Sequence, residues 1–279
     1  MYELYGYMRY ARMEHTKTVG HSGTVGHGVL KTLINQRIHR IKNWPTLHMT
    51  VGQSTKKWDK LHNERGEIMK ILVAIPCMGT LPVAFVQSLI RLNHSEADIN
   101  VRFLSGSLVY DARNLISLEA IRDGYDYVLW LDSDMTFEPD ILHRMLADVS
   151  LMIYENVHMI TGIYVKRTMP TMPVLYDVIE PPENGKRIIH EYMDYPDDEL
   201  FPVKGCGFGC VLTSVSLLKK VWDAYGPAFN PLPWASEDIS FCYRVNQLKE
   251  TIYCDKSIQC GHIGTFLYTP QLLKRGDNT

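Results

Sequence analysis

At 279 residues, 46% of them hydrophobic and 22% charged, the chain has ample material for a sizeable core, which excludes a disordered polymer. Its net charge of −2 is unevenly laid out: residues 1–68 hold 11 Lys and Arg against 5 Asp and Glu, whereas residues 69–279 hold 18 against 26, and so acidic a main part argues against a nucleic-acid partner. No apolar run approaches the ~18–20 residues that span a bilayer, the basic start lacks a signal-peptide core, and six cysteines with no CxxC pair read as reduced thiols, so the expectation is a cytoplasmic chain without a transmembrane segment.

The first 68 residues carry six of the eleven histidines and the Gly-rich GHSGTVGHG, Gly20 to Gly28. Only Gly28 to Lys42 has helical spacing, with Val29, Leu33, Ile34, Ile38 and Ile41 on one face. A metal-binding or nucleic-acid-contacting arm is one account of this segment; the histidines lack Cys partners at ligand spacing, and a solvated basic face packed on its neighbour is the better one. MKILVAIPCMGT, Met69 to Thr80, reads like a natural protein start, so the expectation for residues 1–68 is a basic, His-rich extension, poorly ordered or non-native.

From Met69 strands and helices alternate. Lys70–Ile75 reads as a strand ended by Pro76, Leu81–Leu92 as a helix, Ile99–Leu104 as a strand and Tyr110–Arg122 as a helix. Tyr127–Leu131, Pro139–Val149 and Val157–Thr161 continue the series as strand, helix and strand. Such alternation predicts a Rossmann-like α/β fold with a mostly parallel sheet and flanking helices. A hairpin is expected from Val174–Ile179 and Arg187–Met193 about the turn Pro181–Lys186, then a glycine-rich strand through PVKGCGFGCVLTS, a helix over Ser216–Trp222, and a helix from an N-cap at Ser236 to Leu248. Thr251–Cys254 reads as a last strand. The chain thus divides into 69–165 and 166–279, the second half with a small β/α region.

The chemistry concentrates at a few points. YVLWL runs straight into Asp132-Ser133-Asp134, two carboxylates at a strand end that resist proximity unless a cation offsets them. Oxygen ligands there suit magnesium or manganese with a diphosphate supplying further oxygens; a solvated, capped turn is the competing account. Glu237-Asp238 opens a helix, where a carboxylate serves either as a general base or as a complement to the helix dipole. His262, flanked by Gly261 and Gly264 in QCGHIGTF, is either a third metal ligand or a satisfied loop histidine. Asp111, Arg113 and Asn114 sit at a helix start, and the Arg113 fork suits either phosphate oxygens or a structural salt bridge. Gly205, Gly207 and Gly209 lack the strand-turn-helix setting of a dinucleotide fingerprint; close approach to a ligand or a bulged strand accounts for them. Tyr176, Tyr192 and Trp234 have the chemistry to stack on a sugar ring, although such aromatics are more often core.

In order, the strand ending at Pro76, VYDARN, the DSD, TGIYVKR, KGCGFGCVL, SEDISFC and CGHIG resemble the markers of the GT-A glycosyltransferases, particularly the family 2-like enzymes of bacteria and phages. The resemblance covers nearly all of residues 69–279 and none of 1–68. It implies a transferase moving a sugar from a nucleotide-sugar donor (UDP- or GDP-linked) to a hydroxyl of a carbohydrate, lipid-linked or protein acceptor, with Mn2+ or Mg2+ on the diphosphate. By that analogy Asp134 is the principal metal ligand, Asp132 contacts the ribose or the metal through water beside Ser133, and His262 completes the metal site. Arg113, with Asp111 and Asn114, lies at the nucleotide, Pro76 beside the base, and Lys166 or Arg167 at the leaving diphosphate. Asp238 is the base of an inverting displacement, oriented by Glu237. Two alternatives compete: a nucleotidyltransferase acting on sugar phosphates, disfavoured because PCMGTLP after the first strand has no Lys or Arg, and a non-catalytic carbohydrate-binding protein, disfavoured by the paired Glu237-Asp238.

Overall fold

Six consecutive residues, Ile71 to Pro76, are removed from water, as a strand covered on both faces requires. They belong to β1 (Lys70–Cys77) in a computed structural model that describes residues 68–92, 97–151 and 157–265. The His-rich extension and the helix expected over Gly28–Lys42 lie outside the described residues. β1 does not stop at Pro76. Its pairing with β3 (Tyr127–Leu131) ends at Ala74, so the missing proline N–H leaves that ladder intact, while pairing with β2 (Asp98–Ser105) continues to Cys77.

The central sheet has seven strands in the order β2-β1-β3-β10-β5-β11-β8, completed by β5 (Met159–Ile163), β8 (Leu200–Val203), β10 (Cys210–Ser214) and β11 (Ile252–Gln259). β2, β1, β3, β5 and β11 run one way; β10 and β8 run against them. The two-residue period of a strand sorts side chains to the two faces. In YVLWL, Val128 and Trp130 enter one core while Leu129 and Leu131 enter the other.

The first core is closed by α2 (Val109–Arg122), α4 (Val215–Tyr225) and α5 (Glu237–Gln247), the second by α1 (Val83–Arg91) and α3 (Ile141–Leu151). Among the described residues no helix is long and apolar enough to cross a membrane. Beneath the site, Trp130, Phe208, Phe229 and Phe241 form an aromatic cluster, with Phe229 and Phe241 stacked at 4.5 Å.

Several boundaries differ from expectation for physical reasons. The hairpin is β6 (Leu175–Glu183) and β7 (Lys186–Glu191), and its turn is only Asn184-Gly185. Both have positive φ, the two-residue turn that matches strand twist. The expected single strand through PVKGCGFGCVLTS is three pieces, β8, β9 (Gly205–Cys206) and β10; β9 leaves the main sheet to pair with β6. Ser236 is the N-cap of α5 by backbone, but its hydroxyl donates to the Asp238 carboxylate and caps no helix N–H. Two short strands were not anticipated, β4 (Met135–Thr136) and β12 (Gly261–His262), which pair antiparallel.

Candidate active site

The carboxyl ends of the five co-directional strands meet at one edge of the sheet, the place where open α/β sheets hold ligands. Pro76 is the last residue but one of β1, α2 with Asp111, Arg113 and Asn114 follows β2, the DSD follows β3, Tyr164 to Arg167 follow β5, and His262 follows β11. The structure therefore brings Arg113, Asp132, Asp134, Glu237 and His262 together from four chain segments.

Arg113 is the hub. Only 2% exposed, it donates through Nη2 to Asp132 Oδ1 at 2.8 Å and through Nη1 to Glu237 Oε1, and its guanidinium lies 5.2 Å from the Phe208 ring centre. Burial pulls its pKa down, but Asp132, Glu237 and Asp238 outweigh that and leave the guanidinium held above its ordinary value. On the carboxylate side, removal from water is the largest influence. It raises Asp132 above the usual carboxylate range, with Arg113 pulling down and Asp134 pushing up; it raises Glu237 likewise, with Arg113 opposing and Asp238 adding to the rise. Each acid holds its proton more tightly than in water chiefly because burial penalises its charged form, a penalty that the single buried cation only partly offsets.

Asp134 has different company. Its Oδ2 accepts from Arg167 Nη1 at 2.7 Å and lies 3.5 Å from His262 Nε2. His262 reaches it because β12 pairs with β4, setting His262 opposite Met135, and Ile263 N–H donates to the Asp134 carbonyl at 2.7 Å. Gly261 is required at this bridge, since a side chain there would collide with the Thr136 hydroxyl. His262 Nδ1 lies 2.9 Å from the Val165 carbonyl, an acceptor only, so Nδ1 donates there and the ring is oriented with Nε2 toward Asp134.

That donor set fits a hard divalent ion. Among the described residues no three His, Cys, Asp or Glu side chains converge on a metal position. One carboxylate is nevertheless what magnesium or manganese takes from a protein when substrate phosphates and water supply the rest, and the imidazole beside it is a nitrogen donor that suits a transition metal better than magnesium.

Asp238 opens α5 with Oδ1 accepting from Ser236 Oγ and from Ile239 N–H at 2.8 Å, while Oδ2 has no hydrogen bond among the described residues. Asn114 is spoken for: Oδ1 accepts from Phe229 N–H at 2.8 Å and Nδ2 donates to Asn230 at 2.9 Å, pinning the proline-rich loop that delivers α5. Asp111 is exposed in the first turn of α2, Pro76 is buried and Ser133 is half-buried. Lys166 is turned away to Glu191, at 2.6 Å, and over the Tyr176 ring.

Tyr164 was not singled out from sequence. It is buried, packs edge-on to His262 at 5.4 Å, and accepts a hydrogen bond from Gly209 N–H at 3.1 Å. Burial, reinforced by Asp132 and Asp238, drives its phenol well above the ordinary value, so it stays protonated. Tyr164 also explains two glycines of the run, the third, Gly205, being set against Ile179: a β-carbon at Gly207 would strike the Tyr164 hydroxyl, and one at Gly209 would lie 2.8 Å from Tyr164 Cζ and 3.0 Å from Met135 Sδ. The close approach is thus to a side chain of the site's own wall. Gly209→Ala is expected to cost about 1–3 kcal/mol by overpacking, read as a lowered urea midpoint at unchanged slope.

No family model and no curated protein matches the chain. Among solved structures it is similar to A197 from STIV, at 18% identity over 71% of this chain and 86% of that one, with a TM-score of 0.51. It is also similar to GalNAc-T7, solved with UDP, GalNAc and Mn2+, at 10% identity over 71% of this chain and 44% of that one, with a TM-score of 0.47. The fold of this chain is an α/β architecture with a seven-stranded, mostly parallel central sheet and flanking helices, similar to that of A197 from STIV.

Proposed function

We propose that the chain is a metal-dependent glycosyltransferase that moves a sugar from a UDP- or GDP-linked donor to an acceptor hydroxyl with inversion. The observation that carries this reading is the junction after β3: Asp134 at the carboxyl edge of the sheet beside an oriented His262, with Asp238 on the far side of the Arg113 clamp. Asp134 and His262 would hold the cation, which when bound supplies Lewis acidity to the departing diphosphate.

The remaining roles belong to the chain's own residues. Arg113 fixes Asp132 and Glu237 in place, so neither carboxylate is free to swing. The role of Glu237 is thereby to tie the first turn of α5 to Arg113 and aim the next residue. Asp238, with one oxygen anchored and the other open, takes the proton from the acceptor hydroxyl. The base of the donor nucleotide would lie beside Pro76 and the first turn of α2, and the acceptor on the side of the hairpin and Trp234, within residues 166–279. The acceptor is a carbohydrate, a lipid-linked saccharide or a protein.

Asp134→Ala tests the metal half of this reading. Calorimetric titration of a UDP-sugar or GDP-sugar in manganese is expected to show at least about a tenfold loss of affinity, the scale of losing a charged ligand. Unchanged affinity in a folded variant would remove Asp134 from the donor site.

A further inference from the structure

Two arginines neutralise the two aspartates of the DSD, and they are held very differently. Arg113 is buried, bonded at both ends of its fork and seated on Phe208. Arg167 has a side chain 51% exposed; Nη1 alone makes its polar contacts, to Asp134 Oδ2 at 2.7 Å and the Ile263 carbonyl at 3.2 Å, and its stem lies across Gly264. The oxygen it occupies is the one His262 Nε2 faces at 3.5 Å. A divalent ion held between that oxygen and His262 Nε2 would lie against the guanidinium, and the two like charges compete for the carboxylate.

Resting on the transferase reading, we propose that Arg167 is an internal counter-ion that competes with the divalent cation for Asp134 and, once displaced, turns its fork onto the donor's diphosphate. In the ligand-free site the pair offsets the repulsion between Asp132 and Asp134, which keeps the strand end ordered without metal. An exposed ion pair is weak, so Arg167 holds the oxygen loosely enough to yield. Its planar fork matches the phosphate oxygens that arrive with the cation, and the missing side chain of Gly264 is what lets its stem lie close to the backbone there. Lys166, committed to Glu191 and Tyr176, does not take this part.

The test uses the full chain and two binding readouts that the proposal moves in opposite directions. In Arg167→Gln, manganese alone, followed by electron paramagnetic resonance of the free ion, is expected to bind about fivefold more tightly than in the wild type. UDP and GDP, titrated in saturating manganese, are expected to bind about tenfold more weakly. Arg167→Lys, which keeps the charge and loses the fork, should restore manganese affinity to near the wild-type value and nucleotide affinity only in part. Manganese affinity unchanged or weakened in Arg167→Gln, or unchanged nucleotide affinity, overturns the proposal. If that happens while Asp134→Ala still abolishes manganese binding, the transferase reading stands without it; if the wild type binds no manganese with either nucleotide, both fall.

Discussion

Asp238→Asn is expected to lower turnover by about 10²–10⁴-fold, the range over which a positioned general base contributes, while donor affinity and thermal midpoint stay at wild-type values. The asparagine side chain still accepts from Ser236 Oγ and Ile239 N–H through its carbonyl oxygen, so the first turn of α5 keeps both contacts made by Asp238 Oδ1. What disappears is the capacity of the open oxygen to take a proton. Single-turnover transfer with donor and acceptor saturating separates this from a binding defect. Loss of donor affinity together with turnover would mean that Asp238 serves the fold of the site and is no base.

Arg113→Ala is expected to cost about 3–5 kcal/mol, because it removes one buried cation and leaves the carboxylates it pairs without a partner. Chemical denaturation reads this directly. The pH dependence carries the sign. Asp132 and Glu237 already have folded-state pKa values raised above their unfolded ones, so the stability they contribute is fully present below the unfolded pKa and is lost as pH rises through the folded one. Without Arg113 both are pushed higher still. The deficit of the variant is therefore largest near neutral pH and shrinks on acidification toward the ordinary carboxylate range. A large deficit that is constant with pH would mean that Arg113 acts by packing and not by charge, and one smaller than about 1 kcal/mol would show that the clamp is energetically idle.

How much of this site was legible in the sequence depended on how far apart its partners lie. The junction of YVLWL with Asp132 and Asp134 was legible because an apolar run meeting two carboxylates is a local contradiction that calls for a cation. Tyr110–Arg122 and Ser236–Leu248 were legible as helices from spacing and start signals, within a residue or two of α2 and α5. Arg113 was recognisable as a charged group at a helix start, but its partner Glu237 is 124 residues away and no local pattern joins them. His262 stood out only through the ordered set of motifs. What places it, the pairing of two-residue strands β4 and β12, is too short to leave a periodic trace. The glycines of KGCGFGC were visible as a demand for close approach, yet the approaching groups, Tyr164 above all, come from other strands. The turn Asn184-Gly185 was bracketed too widely because two prolines precede it, and β6 accommodates them with a register shift.

The account rests on one claim, that the carboxyl edge of the sheet binds a nucleotide-sugar through a divalent ion at Asp134. Thermal unfolding of the full chain against UDP-, GDP-, CDP- and dTDP-sugars, each with manganese and with chelator, tests it most directly, since a ligand that binds only the folded state raises the midpoint. The account predicts a rise with UDP- or GDP-sugars that requires manganese and is lost in Asp134→Ala. No rise with any of the four in a folded protein, or a rise that survives both chelator and Asp134→Ala, would contradict it.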